Sequence, residues 1–314
     1  DLGPLLGIAS GKATLGGTIA CNLSGPRRVR VGAARDHFLG MHAINGRAEA
    51  FKAGGKVVKN VTGYDLCKLM AGSYGTLALL TEVTVKVLPR AEKTRTVLLF
   101  GVEEQSAISV LSNVMASTHE PSALSHLPAP IAARSSVNLV SSAACAVTAV
   151  RVEGPTPSAI FRCEKLRETL SELGDIEELH GHRSTIFWNE VANVTPFVKQ
   201  PELTVWRIAV APTKAAIVTA DIGSKCEAEW YYDWAGGLIW LATPQNDGTT
   251  NNLIRAAIAA AGAQGTLIRA DTNVRAAVSV FEPLPAELYR LSVRVKQSFD
   301  PKGILNPGRL YAGM

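Results

Sequence analysis

Residues 59–89 read KNVTGYDLCKLMAGSYGTLALLTEVTVKVLP. A helix of one to two turns runs into Gly72-Ser73-Tyr74-Gly75-Thr76, and that into a strand, with no polar loop between them. Asp65 stands where a side chain can cap the helix, and Leu66, Leu69 and Met70 fall on one of its faces. Gly72 follows the last helical residue, where a left-handed conformation is favoured. Val83, Val85 and Val87 alternate with Thr84 and Lys86, the pattern of a half-buried strand, and Pro89 ends it. A helix that only had to stop needs one glycine. Two of them, beside the small hydroxyl residues Ser73 and Thr76, predict a backbone that lies close against another group.

Upstream, the sequence predicts strands and tight turns. Asn45-Gly46 in FLGMHAINGRAEAFKA separates two runs of strand length and predicts a hairpin with a type I′ turn, because both residues tolerate positive φ. In KATLGGTIACNLSGPRR, Gly16-Gly17 is flanked by Thr14, Thr18, Asn22 and Ser24 and followed by Gly25. Backbone N–H groups left bare by glycine, with hydroxyls alongside, suit an anion such as a pyrophosphate. A tight turn accounts for the same glycines.

Downstream of residue 93 a pattern occurs twice. RTVLLF is a strand, Glu103–Ser117 a helix, SVNLV and ACAVTAVRV strands, Pro157–Leu173 a helix with Ile160, Cys163, Leu166 and Leu170 on one face, and IEEL a closing strand. The second round is TVWRIAVAP, TKAAIVTADIG, EAEWYYDW, GLIWLA, NNLIRAAIAAAG and GTLIRA. Both rounds read βαββαβ, the ferredoxin-like unit, and two such units can join into one wide antiparallel sheet with helices on a single face. Leu288, Leu291, Val295 and Phe299 recur at helical spacing near the end, until Asp300-Pro301 stops the helix.

Composition narrows the function classes. The 32 basic and 27 acidic side chains of the 314 residues give a net charge of +5 without any basic run, which argues against a nucleic-acid surface. The five cysteines form no CxxC pair, so the sequence predicts a reduced chain with neither a disulfide frame nor an iron–sulfur cluster of its own. No apolar run is long enough to span a bilayer, and no signal peptide is evident. No metal site is expected: His180-Gly-His182, the one histidine pair, lacks a third ligand at suitable spacing and is expected in an exposed loop. Trp188, Trp206, Trp230, Trp234 and Trp240 can stack on a ring, but most sit in predicted strands, which favours the core. Arg27 and Arg28 can meet a phosphate or an acidic partner, or simply lie in a solvated loop.

Three stretches together, SGPRR with its glycine-rich approach, GSYGTLALLTEV and FDPKGILNPGRL, resemble in order the cofactor-binding half and the C-terminal return of the vanillyl-alcohol-oxidase-type family, whose cofactor domain is the PCMH type. Within it, residues 13 to 90 are similar to the E subunits of bacterial glycolate oxidase, or glycolate dehydrogenase. The resemblance implies an α+β fold: the second half of a PCMH-type FAD-binding domain at 1–92, a ferredoxin-like antiparallel-sheet cap at 93–284, and a helix and tail at 285–314 returning to the first domain. It implies FAD as cofactor. Ala13, Thr14, Leu15, Gly16 and Gly17 fall on the loop that meets the pyrophosphate, and Asn22, Ser24 and Gly25 continue along the cofactor. Gly72, Ser73, Gly75, Thr76 and Leu77 fall on the loop beside the diphosphate and the adenine half, Glu82 and Val83 on the following strand, and Asn306 on the tail that approaches the flavin. Lys59, Asn60 and Tyr64 stand where they can reach a flavin edge.

By the same resemblance the first FAD subdomain precedes Asp1, so an N-terminally truncated copy is expected. The expected activity is that of a flavoprotein subunit oxidising a 2-hydroxy acid or relaying its electrons, beside a D-type flavoprotein and an F-type iron–sulfur subunit. A silent scaffold of the same complex and a stand-alone FAD enzyme with another substrate stay open as alternatives. No catalytic residue is assigned. The expected location is the cytoplasm, or the periphery of the inner face of the cell membrane through the complex.

Overall fold

The computed structural model describes residues 1–58, 63–244 and 248–314. Contacts divide the chain into two compact units, the smaller formed by Gly11–Ser24, Gly32–Pro89 and Phe281–Met314, the larger by Asp1–Ser10, Gly25–Val31 and Arg90–Val280.

In the smaller unit β1 (Phe38–Asn45) pairs antiparallel with both β2 (Ala50–Gly54) and β3 (Ala78–Val85), giving the order β2-β1-β3. Phe38, Met41, Ala43, Leu77 and Ala78 bury one side of this sheet with Ile19, Cys67 and Met70, and Val295 and Phe299 of the tail helix Ala286–Phe299 pack against them. Helix Leu66–Met70 starts as predicted, the Asp65 carboxylate accepting from the Lys68 amide at 3.1 Å, but it buries Cys67 and Met70 and leaves Leu69 exposed. Leu288 and Leu291, two members of the predicted stripe, are also exposed.

The hairpin forms, but with a different turn. Neither Asn45 nor Gly46 has positive φ; Ala48 does, at 63°. Ala48 N–H donates to the Asn45 carbonyl at 3.0 Å, and the Asn45 side chain accepts from the amides of Arg47 and Glu49, which makes a three-residue loop closed by a left-handed residue. Gly46 is glycine for another reason: a Cβ there would lie 2.7 Å from Asp300 Cα.

The larger unit contains the predicted sheet. Its strands are β4 (Lys93–Phe100), β5 (Ala123–Leu127), β6 (Val147–Gly154), β7 (Ile176–His180), β8 (Thr204–Ala209), β9 (Glu229–Asp233), β10 (Leu238–Thr243) and β11 (Gln264–Arg269). They form one eight-stranded sheet ordered β11-β8-β10-β9-β5-β6-β4-β7. Each half has the ferredoxin-like order, and the halves meet at their second strands, where His126 is registered with Tyr232. Helices Glu104–Met115, Thr156–Leu170, Pro212–Gly223 and Gly248–Ala261 supply Ile108, Leu111, Cys163, Leu166, Val218 and Ile258 to the cores on one face.

The other face is not bare. Helix Gly181–Ala192, absent from the sequence expectation, covers it with Phe187, Trp188 and Val191. His180-Gly-His182 is therefore the end of β7 and the start of this helix, not a loop. Residues 136–140, expected as a strand, include the start of a single helical turn, Asn138–Ser141, while the second strand is Ala123–Leu127. All five residues of that strand are buried, and Ser125 and His126 find partners inside: Ser125 Oγ donates to the Tyr232 carbonyl at 2.6 Å, and His126 Nδ1 lies 2.9 Å from Thr148 Oγ1. Trp188, Trp206 and Trp240 are buried in these cores, with Trp230 and Trp234 packed at their edges. Leu5 joins the same packing, and Arg27 pairs with Glu153 at 3.1 Å, which ties the segments 1–10 and 25–31 into the larger unit.

Candidate functional site

The glycine pair Gly16-Gly17, expected in a loop, lies in a short helix, Leu15–Ala20. Two glycines and two β-branched residues oppose a helix on propensity. A cap stabilises it: Thr14 Oγ1 accepts from the Gly17 amide at 3.0 Å, and the Thr14 carbonyl accepts from the Thr18 amide at 3.0 Å. The first amides of the helix, those of Leu15 and Gly16, come before any intrahelical bond can form. A Cβ at Gly16 would meet nothing within 4 Å, whereas one at Gly17 would come within 3.0 Å of Thr14 Oγ1. Ala13, Thr14 and Leu15 are exposed.

Helix Leu15–Ala20 and the Gly72–Thr76 loop meet. The amide of Gly72 donates to the Ile19 carbonyl at 3.2 Å and that of Tyr74 to the Ala20 carbonyl at 2.8 Å. A Cβ on Gly72, whose φ is +84°, would lie 3.4 Å from Asn22 Cβ. Asn22 is itself left-handed, at φ 50°, and its amide oxygen accepts from the Arg35 N–H at 3.1 Å; Ser24 Oγ accepts from the Ala34 N–H at 3.2 Å. These side chains brace the return toward β1 and are half-buried.

Gly75 is occupied by the protein's own packing. Its φ is +69°, and a Cβ would come within 2.8 Å of Asn306 Nδ2, which donates to the Tyr74 carbonyl at 2.9 Å. The sequence expectation assigned Gly75 to space for a dinucleotide; here the turn and Asn306 suffice to require glycine. Ser73 and Thr76 are buried, and Thr76 Oγ1 donates to the Ser73 carbonyl at 2.7 Å, closing the loop on itself.

The remaining predicted positions separate by environment. Leu77 is buried and Val83 half-buried in the core of the smaller unit, so their side chains serve packing. Glu82 is exposed on β3, opposite His42. Gly25 belongs to the larger unit, where its carbonyl accepts from Trp234 Nε1 at 3.1 Å. Lys59 and Asn60 lie outside the described residues, and Tyr64 is almost fully exposed. Two residues that the sequence reading left out stand beside this loop: Lys296 on the tail helix and Asp300 at its C-cap, both buried. Their signal was a lysine next to the apolar stripe of an amphipathic helix. Burial pushes the Asp300 carboxyl up, but hydrogen bonds from Lys296 and from the amides of Leu305 and Ile304 outweigh it and hold the group below its usual range.

Small side chains, open space at Gly16 and undirected amides at a capped helix start fit the approach of a diphosphate. The loop at Gly75 offers instead a closed, internally bonded wall. Among the described residues no cluster of three or more His, Cys, Asp or Glu is placed to hold a metal, and no helix is long and apolar enough to cross a membrane.

No family model matches the chain. Its fold is shared with alkyldihydroxyacetonephosphate synthase, at a TM-score of 0.65 and 17% identity, over 94% of this chain and 58% of that one. The architecture is thus the α+β, PCMH-type fold with an antiparallel-sheet cap. In sequence the chain is 34% identical over 302 residues to glycolate oxidase subunit GlcE of Escherichia coli (strain K12), covering 96% of this chain and 73% of that protein. It is 29% identical over 335 residues to the uncharacterized FAD-linked oxidoreductase MT2338 of Mycobacterium tuberculosis (strain CDC 1551 / Oshkosh), covering 95% and 70%. The chain belongs to the glycolate oxidase subunit GlcE family of FAD-linked oxidoreductases.

Proposed function

We propose that this chain is the FAD-binding E-type subunit of a glycolate oxidase complex, working beside a D-type flavoprotein subunit and an F-type iron–sulfur subunit. The observation that carries the proposal is the 34% identity to a glycolate oxidase subunit across 96% of the chain. The geometry agrees with it: the helix start at Thr14–Gly17 presents amides and open space of the kind a diphosphate uses. When bound, FAD supplies the acceptor for the electrons of a 2-hydroxy acid. Ala13 to Gly17 hold its diphosphate, Asn22 and Ser24 shape the return of the chain, and Gly72 to Thr76 with Asn306 wall the cofactor in. The complex works in the cytoplasm or at the inner face of the membrane.

The site favours relay of electrons over direct oxidation by this chain. Removing a hydride from a hydroxy acid needs a base near the hydroxyl and a cation for the carboxylate. Apart from Glu82, the proposed residues are glycines, small hydroxyls, amides and apolar side chains. Visible absorption of the protein, purified alone and then with its D- and F-type partners, tests both parts. A bound-flavin spectrum in both preparations, with dye-linked glycolate turnover only in the second, is expected. Lack of flavin in both would overturn the proposal, and turnover by the lone subunit at the rate of the complex would overturn the relay.

A further inference from the structure

Lys296 is an unusual use of a lysine. Its side chain is 6% exposed and that of Asp300 is fully buried. The ammonium has three protons and donates three hydrogen bonds, to the Thr76 carbonyl at 2.7 Å, to Asp300 Oδ2 at 2.6 Å and to the Leu305 carbonyl at 2.8 Å. Asp300 is equally committed: Oδ2 also accepts from the Leu305 amide at 2.7 Å and Oδ1 from the Ile304 amide at 3.1 Å. The carboxylate rests against Gly46, whose amide donates to the Phe299 carbonyl at 2.9 Å.

The pair draws four segments to one point: the hairpin tip, the glycine loop, the end of the tail helix and the tail. The loop is held at two successive even-numbered carbonyls, Tyr74 by Asn306 and Thr76 by Lys296, and Asn306 follows directly on Leu305. Apolar residues in place of both partners would spare the desolvation that a buried ion pair incurs, so a buried pair contributes geometry more than stability. From this geometry we infer that Lys296 and Asp300 are the positioning pair of the cofactor-facing loop, fixing Gly72–Thr76 and Asn306 in the arrangement that receives the flavin without touching it. The inference rests on the assignment of FAD to this site.

Lys296→Met in the full chain tests it by two measurements. In flavin-free protein, amide hydrogen exchange at 73–77 and 304–306 is expected to quicken at least tenfold. Flavin-fluorescence titration is expected to show FAD affinity at least tenfold weaker. Met70→Ala, which opens the same core while keeping every hydrogen bond of the network, controls for stability alone and is expected to leave FAD affinity within threefold of wild type. Should Lys296→Met fail to fold, Asp300→Asn breaks the ion pair at constant size and is read in the same way. Unchanged exchange at both segments overturns the inference, and so does an equal loss of affinity in Met70→Ala. Wild type that takes up no FAD defeats the proposed function instead, and the exchange data still decide whether the pair fixes the loop.

Discussion

Replacing Gly16 by alanine should move stability and flavin binding in opposite directions. Gly16 is the second residue of helix Leu15–Ala20, is not among the positive-φ glycines, and would carry a Cβ into open space. Alanine there fits without strain and restricts the unfolded chain, which is worth about 0.4–1 kcal/mol of added stability. Gly17→Ala should gain less, because its Cβ would press on the capping hydroxyl of Thr14 at 3.0 Å. On the proposed binding of FAD at this helix start, the Gly16 methyl would occupy space that the diphosphate uses, and a loss of roughly 1.4 kcal/mol there is a tenfold weaker affinity. Amide exchange across residues 15–23 is the assay for stability, since all five tryptophans lie in the larger unit and their fluorescence says nothing of this helix. Flavin-fluorescence titration is the assay for binding. If Gly16→Ala binds FAD as tightly as wild type, the helix start does not carry the diphosphate; if it destabilises the helix, the open space is not there.

Two further substitutions follow from backbone and burial. Ala48→Gly should stabilise the β1–β2 hairpin by roughly 0.5–1 kcal/mol, because an exposed alanine holds φ at 63°, and slower exchange of the hairpin amides would show it. In the larger unit, burial lowers the pKa of His126 from 6.5 to about 4, while burial raises that of Asp233 from 3.8 to about 7 against the opposing Trp234 amide, Arg151 and Arg207. As pH falls from 6.5 to 4 the unfolded chain takes up the His126 proton first and stability is lost; as it falls from 7 to 4 the folded chain takes up the Asp233 proton first and stability is gained. The two effects are at most about 3 kcal/mol for His126 and about 4 kcal/mol for Asp233 and they oppose, so wild type should change by only about 1 kcal/mol over this range. Asp233→Asn should lose stability on acidification and His126→Gln should gain it, in urea midpoints followed by tryptophan fluorescence; identical pH profiles for all three proteins would refute the assignment.

Much of the fold was legible because burial leaves a period in the sequence. Cys163, Leu166 and Leu170 are all buried on the helix their spacing predicts, and both ferredoxin-like rounds form the expected sheet. The strand Ala123–Leu127 was not legible: prolines at 121 and 128 mark it as a loop, and its serine and histidine are satisfied by residues distant in the chain. Helix Leu15–Ala20 escaped for a related reason, since glycines argue against it and only the Thr14 cap and contacts with residues 72–74 favour it. At the candidate site the glycines were conspicuous but their causes were mixed. Gly16 faces open space, Gly75 faces Asn306, and one letter cannot distinguish them. Lys296 and Asp300 were hidden because a buried ion pair looks, in sequence, like an ordinary solvated i,i+4 pair.

The seam of the eight-stranded sheet bears on how the larger unit assembles. Between β4 and β6 the ladder runs the whole length from Lys93 to Phe100, and between β8 and β10 it runs from Thr204 to Ala209, whereas β5 and β9 share the single registered pair of His126 and Tyr232. Every other ladder of this sheet pairs strands of the same half. That seam ties together positions 106 residues apart, against 85 between Arg95 and His180 within the first half, so it adds little loop-closure entropy beyond what the halves already incur. Each half holds a full set of ladders of its own, and the eight strands are joined across the shortest one.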